Sequence, residues 1–256
     1  GKYKPPVGWF SIDHNDNDPV EFLTYTIASI QRIHKDYGFR AMELLKSSSP
    51  PGVEAILSFL INEIIAIKSD FLLVFDDFHR IVNHEVSNLV AYFLDHAPEN
   101  LHIAIITRSD PVLPIARLRS QNQLVELRSS DLCFSANDIN VLFNKRLKFK
   151  LSPENVQLLE AKTEGWIAGL QLAALSMKGR DDVSGFIKAF AGHDRYIVDY
   201  LGDEVLQRQP DHVKRFLLQT SVLDRLSGPL CDAVTGQTDG RTMLEALERA
   251  NLFVVP

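Results

Sequence analysis

Phe71 to Phe75 is an unbroken apolar run that closes on two adjacent carboxylates, Asp76 and Asp77. A run this short, without polar alternation, fits a strand buried on both faces of a parallel sheet. Parallel neighbours need long crossovers, and crossovers that cover both faces are usually helices, so this one segment already predicts an α/β fold. The polar groups of such a strand emerge at its carboxyl end, where open α/β sheets bind ligands. Two carboxylates there suit a divalent cation and a polarised water. The residues alone also allow a blander role, since strands often end in Asp as a turn or helix cap.

The surrounding pattern supports the α/β reading. Val7 to Ile12 reads as a first strand, and Asp18-Pro19 opens a helical pattern through Phe22, Leu23, Ile27 and Ile30. A Ser/Pro/Gly loop from Ser47 to Gly52 leads to a second apolar helix, Val53 to Ile67, and so to the acidic strand. Helical spacing follows from Val86 to Leu94. Leu101 to Thr107 reads as a buried strand and Gln123 to Leu127 as a short alternating one. After residue 130 the character changes. Ser135 and Ser152 head capped helices, and apolar residues recur at helical intervals through Leu142, Val156, Leu159, Ile167 and Leu170. Arg195 to Gln209 and Asp211 to Leu218 continue the helices, with Pro210 at the break. The stretch from Leu230 through Met243 to Pro256 has the look of a winged-helix module cut off at its wing.

Composition excludes several function classes. The chain has 256 residues, 45% of them hydrophobic, and a net charge of −6 with lysines and arginines spread out. Such a chain offers no electrostatic footprint for a phosphate backbone. Two distant cysteines, Cys133 and Cys231, indicate neither a disulfide framework nor a zinc site, which favours a reducing, cytoplasmic setting. No apolar stretch is long enough to span a bilayer, so no membrane association is expected. His84-Glu85-Val86-Ser87-Asn88 lacks the second histidine of a zinc HExxH site, and no Gly-x-Ser-x-Gly elbow is present. Asp13 to Asp18 has some flavour of a calcium loop but lacks its glycine and distant glutamate, and reads as a strand-to-helix turn with an Asx cap.

A second polar site stands at Thr107-Arg108-Ser109-Asp110, where a buried strand ends in an arginine. Guanidinium pairs with phosphate in a bidentate way, so Arg108 could report the presence of a γ-phosphate; a solvated pair with Asp110 is the plainer alternative. With Val7 to Pro19, Leu72 to His79 (LLVFDDFH), Ala104 to Leu118, Thr163 to Ser176 (TEGWIAGLQLAALS), His193 to Leu206 and Ala246 to Val255, the order of segments resembles the MalT-like branch of the STAND signal-transduction ATPases, the large LuxR-type transcriptional activators. That resemblance covers nearly the whole chain. It implies a partial P-loop NTPase domain over residues 1–130, a helical domain over 131–205 and a truncated winged-helix-like domain over 206–256. By resemblance Asp76 and Asp77 are the Walker B acids, Asp76 holding Mg²⁺, and Arg108 is the sensor arginine. Gly165-Trp166 stands where relatives place a Gly-x-Pro motif beside ATP; Trp166 can equally pack between two helices.

The resemblance also implies inducer-dependent self-association that drives transcription, with DNA contacted through a C-terminal helix-turn-helix that this sequence does not contain. The only Gly-Lys step is Gly1-Lys2, and it is not followed by the Ser/Thr and helix of a phosphate loop. Walker A is therefore absent from this sequence, and its backbone cradle and lysine do much of the electrostatic work of phosphoryl transfer. ATPase activity by this chain alone is expected to be negligible. In the family's sheet the Walker A strand lies between the strands at Leu101 and Gln123, so these two are expected either to pair directly or to leave open edges that promote association. The rival reading is a non-catalytic interaction module that binds no nucleotide.

Overall fold

The computed structural model describes residues 4–180, 182–190, 198–199, 201–207, 209–223, 225–249 and 252. The chain divides into two compact units, one formed by the described residues of 1–124 and 241–256, the other by those of 125–240.

The first unit is built on three parallel strands, β1 (Val7–Ser11), β2 (Phe71–Asp76) and β3 (Leu101–Ile105), in the order β1-β2-β3. The acidic strand is central, with Ser11 opposite Asp76 on one side and Ile105 opposite Phe75 on the other. Phe71, Leu73, Val74 and Phe75 are all buried, so consecutive side chains pointing to opposite faces are both covered. The β1-to-β2 crossover carries α1 (Pro19–Gln31), α2 (Phe39–Leu45) and α3 (Val53–Ile65); α4 (His84–Asp95) makes the β2-to-β3 crossover, and α5 (Ile115–Ser120) follows β3. Asp18 caps α1 by accepting from the Val20 and Glu21 amides, with Pro19 at the first helical position, as its sequence foretells. The apolar stripes of α1, α3 and α4 join Phe10, Phe71, Leu73 and Phe75 in one core. Burying each large side chain contributes roughly 1.5–3 kcal/mol. Phe22 sits 5.5 Å from Phe10 and 5.4 Å from Phe75, ring centre to ring centre, which ties α1 to the sheet.

Two expectations are corrected. The strand beginning at Leu101 ends at Ile105, although Ile106 carries the ladder one step on by donating to Phe75 O and accepting from Phe78 N. Gln123 to Leu127 is in no strand, and Val125 and Leu127 are 89% and 71% exposed. Alternation marks which face of a strand is buried, but a ladder still needs a neighbouring backbone. Among the described residues β3 pairs only with β2, so the direct pairing of these two segments does not occur. Helix α2 was not legible in the sequence; its seven residues, entered through Gly38 at φ 80°, are too few for periodicity to register.

No strand follows β3 among the described residues. The second unit holds α6 (Ser129–Leu132), α7 (Ala136–Asn140) running into a π-helical turn (Val141–Arg146), α8 (Pro153–Thr163), α9 (Ile167–Met177), α10 (Val183–Ala189), α11 (Asp211–Thr220) and α12 (Gly228–Thr235). Ile139, Phe143, Val156, Leu159, Leu170, Ala173 and Ile187 form its core. Ser135 and Ser152 cap α7 and α8 as anticipated. Of the helix anticipated over 195–209, residues 195–197, 200 and 208 lie outside the described residues, and Leu201–Leu206 is a π-helical turn. The last helix, α13 (Gly240–Arg249), stands where the apolar pattern from Met243 places one; residues 253–256 lie outside the described residues. No helix among the described residues is long and apolar enough to cross a membrane.

Candidate functional site

Asp76 ends the central strand. Its carbonyl accepts from the Ile12 amide at 3.0 Å, continuing the β1 ladder, and its Oδ1 accepts from the Asp77 amide at 2.9 Å. Asp77 then adopts a left-handed conformation, φ 56° and ψ 34°, which turns the chain out of the sheet. Asp tolerates this region better than most side chains, which is one local reason for an Asp here. A 3-10 turn, Phe78–Arg80, follows, and the Phe78 amide donates to Ile106 O at 3.0 Å while its ring is buried under Phe75. The turn folds two nitrogen-bearing side chains back on Asp77: His79 Nδ1 lies 3.8 Å from Oδ1 and Arg80 Nε 3.7 Å from Oδ2.

Arg108 is exposed three residues beyond β3, in a loop where the Thr107 hydroxyl donates to Ser109 O at 2.7 Å. Because β2 and β3 are adjacent and parallel, Asp76, Asp77 and Arg108 all leave the sheet at its carboxyl edge. Gly165 and Trp166 belong to the other unit. There Gly165 has φ 73° and accepts from the Phe134 amide at 2.8 Å, and a Cβ in its place would overlap the Phe134 backbone. Trp166 caps α9, with its ring against Gly169. Both positions therefore have packing reasons for their residue types.

The Asp13 to Asp18 run is resolved as a turn built from its own side chains. Asp13 Oδ1 accepts from the Asn15 amide, and buried Asp16 accepts from the Asp13 amide at 2.6 Å. Burial pushes the Asp16 carboxyl above its usual range, and the charges of Asp13 and Glu21 add to that, against the opposing pull of the Asp13 hydrogen bond. Asn17 is the residue the sequence reading missed. Its side chain reaches the loop after Asp77, 63 to 66 positions away, donating to Arg80 O and accepting from the Val82 and Asn83 amides. The available signal was its place at the carboxyl end of the strand beside the acidic one.

The donor set fits Mg²⁺ in one specific sense. No cluster of three or more metal-binding side chains exists among the described residues, so these residues form no self-sufficient cation cage. Mg²⁺ keeps several waters and takes one or two carboxylates together with substrate phosphates, which is what the pair at the end of β2 can supply.

A family model described as the MalT winged helix domain matches residues 202–256. The chain is 35% identical over 250 residues to the HTH-type transcriptional regulator MalT of Yersinia pestis (strain Pestoides F), covering 97% of this chain and 28% of that protein. The MalT of Yersinia pseudotuberculosis (serotype O:1b) matches to the same extent. A serine/threonine-protein kinase, PknK of Mycobacterium tuberculosis, is 32% identical over 248 residues, 97% of this chain and 22% of the kinase. Over nearly its whole length the chain is thus similar to MalT regulators, and it spans 28% of the length of those it matches.

Proposed function

We propose that the chain is the control segment of a transcriptional regulator, a nucleotide switch in which ATP and Mg²⁺ set the state of the molecule. The observation that carries this reading is the acidic pair at the carboxyl end of the central parallel strand, the place where open α/β sheets take their ligands. The comparisons support a control role. The same segment matches proteins named for two different outputs, a transcriptional regulator and a protein kinase, so what they share is better read as the controller than as the output.

In this reading Asp76 would hold Mg²⁺ and Asp77 would orient the attacking water, while Arg108 at the neighbouring strand end would contact the γ-phosphate. Bound Mg²⁺ would neutralise charge on the phosphates. His79 and Arg80 restrain the Asp77 carboxylate in one direction before any ligand arrives, which lowers the cost of ordering it. The Gly165-Trp166 step is proposed as a further nucleotide-binding element. An inducer, self-association, DNA contact through a helix-turn-helix and a cytoplasmic location complete the proposal.

One observation favours the rival reading, an interaction module that binds no nucleotide: the outer edge of β3 has no partner strand among the described residues. Calorimetric titration with ATP and Mg²⁺ separates the two. Binding by a regulator-length protein that is lost in Asp76→Asn supports the switch, and absence of binding by that protein supports the interaction module.

A further inference from the structure

Asn17 uses the whole hydrogen-bonding capacity of its side-chain amide. Nδ2 donates to Arg80 O at 2.9 Å and to His14 O at 3.2 Å, and Oδ1 accepts from Val82 N at 2.8 Å and Asn83 N at 3.0 Å. The contact is reciprocal, because Asn83 Nδ2 donates to the Asn17 carbonyl at 2.9 Å while Asn83 Oδ1 caps α4 at the Glu85 amide. The two loops leaving the carboxyl ends of β1 and β2 are therefore laced together.

The consequence falls on Asp77. The peptides just before and just after it are held by neighbouring strands, through Ile12 N to Asp76 O and Phe78 N to Ile106 O. The 3-10 turn that brings His79 and Arg80 to its carboxylate is only three residues long, and its far end is fastened by Asn17. Short 3-10 turns have poor hydrogen-bond geometry, and a left-handed non-glycine residue persists only where its surroundings hold it. Without the clamp, Arg80 loses its carbonyl partner and Asp77 is free to relax.

We propose that Asn17 is a positioning residue for Asp77, one that sets the geometry of the acidic turn from the adjacent strand's loop. Its functional consequence rests on the nucleotide-switch reading; the structural coupling does not. Asn17→Asp is the diagnostic change, because it keeps size and one acceptor oxygen but turns a second oxygen toward the carbonyls of Arg80 and His14.

In the ¹⁵N,¹³C-labelled chain, Asn17→Asp should speed amide exchange at Phe78 and Arg80 about tenfold or more relative to Trp9 and Phe75. The carboxyl ¹³C signal of Asp77 should move while that of Asp211, in the other unit, stays. Asp138→Ala, which unties a helix cap in the other unit, should leave these signals in place. Asn17→Ala repeats the measurement if the aspartate variant does not fold. Parent-like signals at Asp77 and Phe78, or a uniform rise in exchange across the sheet, would overturn the proposal. In a regulator-length protein Asn17→Asp should lower kcat for ATP about a hundredfold with KM nearly unchanged, and an unaltered kcat counts against it. A regulator-length parent that neither binds nor hydrolyses ATP refutes the nucleotide reading, and the exchange measurement then decides the clamp by itself.

Discussion

The Phe134 amide donates to the Gly165 carbonyl at 2.8 Å, and a Cβ on Gly165 would run into the Phe134 backbone. The glycine is thereby required twice, by its φ of 73° and by the close approach. Gly165→Ala should cost about 1–2 kcal/mol for the left-handed backbone, with the steric overlap added to that. The measurement is the denaturant midpoint, and a shift below about 0.5 kcal/mol would show that the second unit yields at this point.

Asp77→Asn is expected to change stability by less than about 1 kcal/mol, because asparagine also accepts the left-handed region and the pairs with His79 and Arg80 are partly exposed. Asp77→Val should cost more, since a β-branched side chain is a genuine outlier at φ 56°. Thermal melts of the two variants check the order. Equal losses would mean that the carboxylate acts as a structural cap.

Asp16 is a buried carboxylate whose titration bears on stability. Its folded pKa lies above the unfolded carboxylate value, so its proton is held more tightly when the chain is folded. The contribution is most favourable below the unfolded value and is lost as pH rises through the folded one. Asp16→Asn keeps an oxygen for the Asp13 amide and removes the buried charge. It should melt higher than the parent at neutral pH, with the difference closing at about pH 3. A lower melting point at neutral pH would mean that the hydrogen bond from Asp13 outweighs burial.

The outer edge of β3, which has no partner strand among the described residues, predicts association. The register, with Phe71 N donating to Asn100 O and Ile106 N to Phe75 O, turns the Ile103 amide away from β2. Ile103→Pro therefore keeps the internal ladder and blocks the outer one. Light scattering of the parent chain should rise with concentration, and the variant should lower it. An unchanged profile would show that this edge takes no part.

Much of the fold is local chemistry and was readable as such. The apolar run into Asp76 marks a central strand, Asp18-Pro19 and the serines at 135 and 152 mark helix starts, and the periodic residues of α1, α3 and α4 are the ones that reach the core. The candidate carboxylates were legible for the same reason, because a strand's end is a local event. Gln123 to Leu127 misled because alternation reports a preferred face and says nothing about whether a neighbouring backbone exists.

The sequence by itself determined the α/β character, the strands β1, β2 and β3 with the helices α1, α3 and α4 between them, and the acidic pair at a strand's end, since each follows from the propensity and spacing of residues close along the chain. Only the tertiary structure decided that β3 pairs with β2 alone among the described residues, that Asp77 turns left-handed under His79 and Arg80, and that Asn17 fastens the turn from more than sixty positions away. Those are contacts between backbone groups distant in sequence, and any asparagine in a turn carries the same local signal until the strands bring a partner to it.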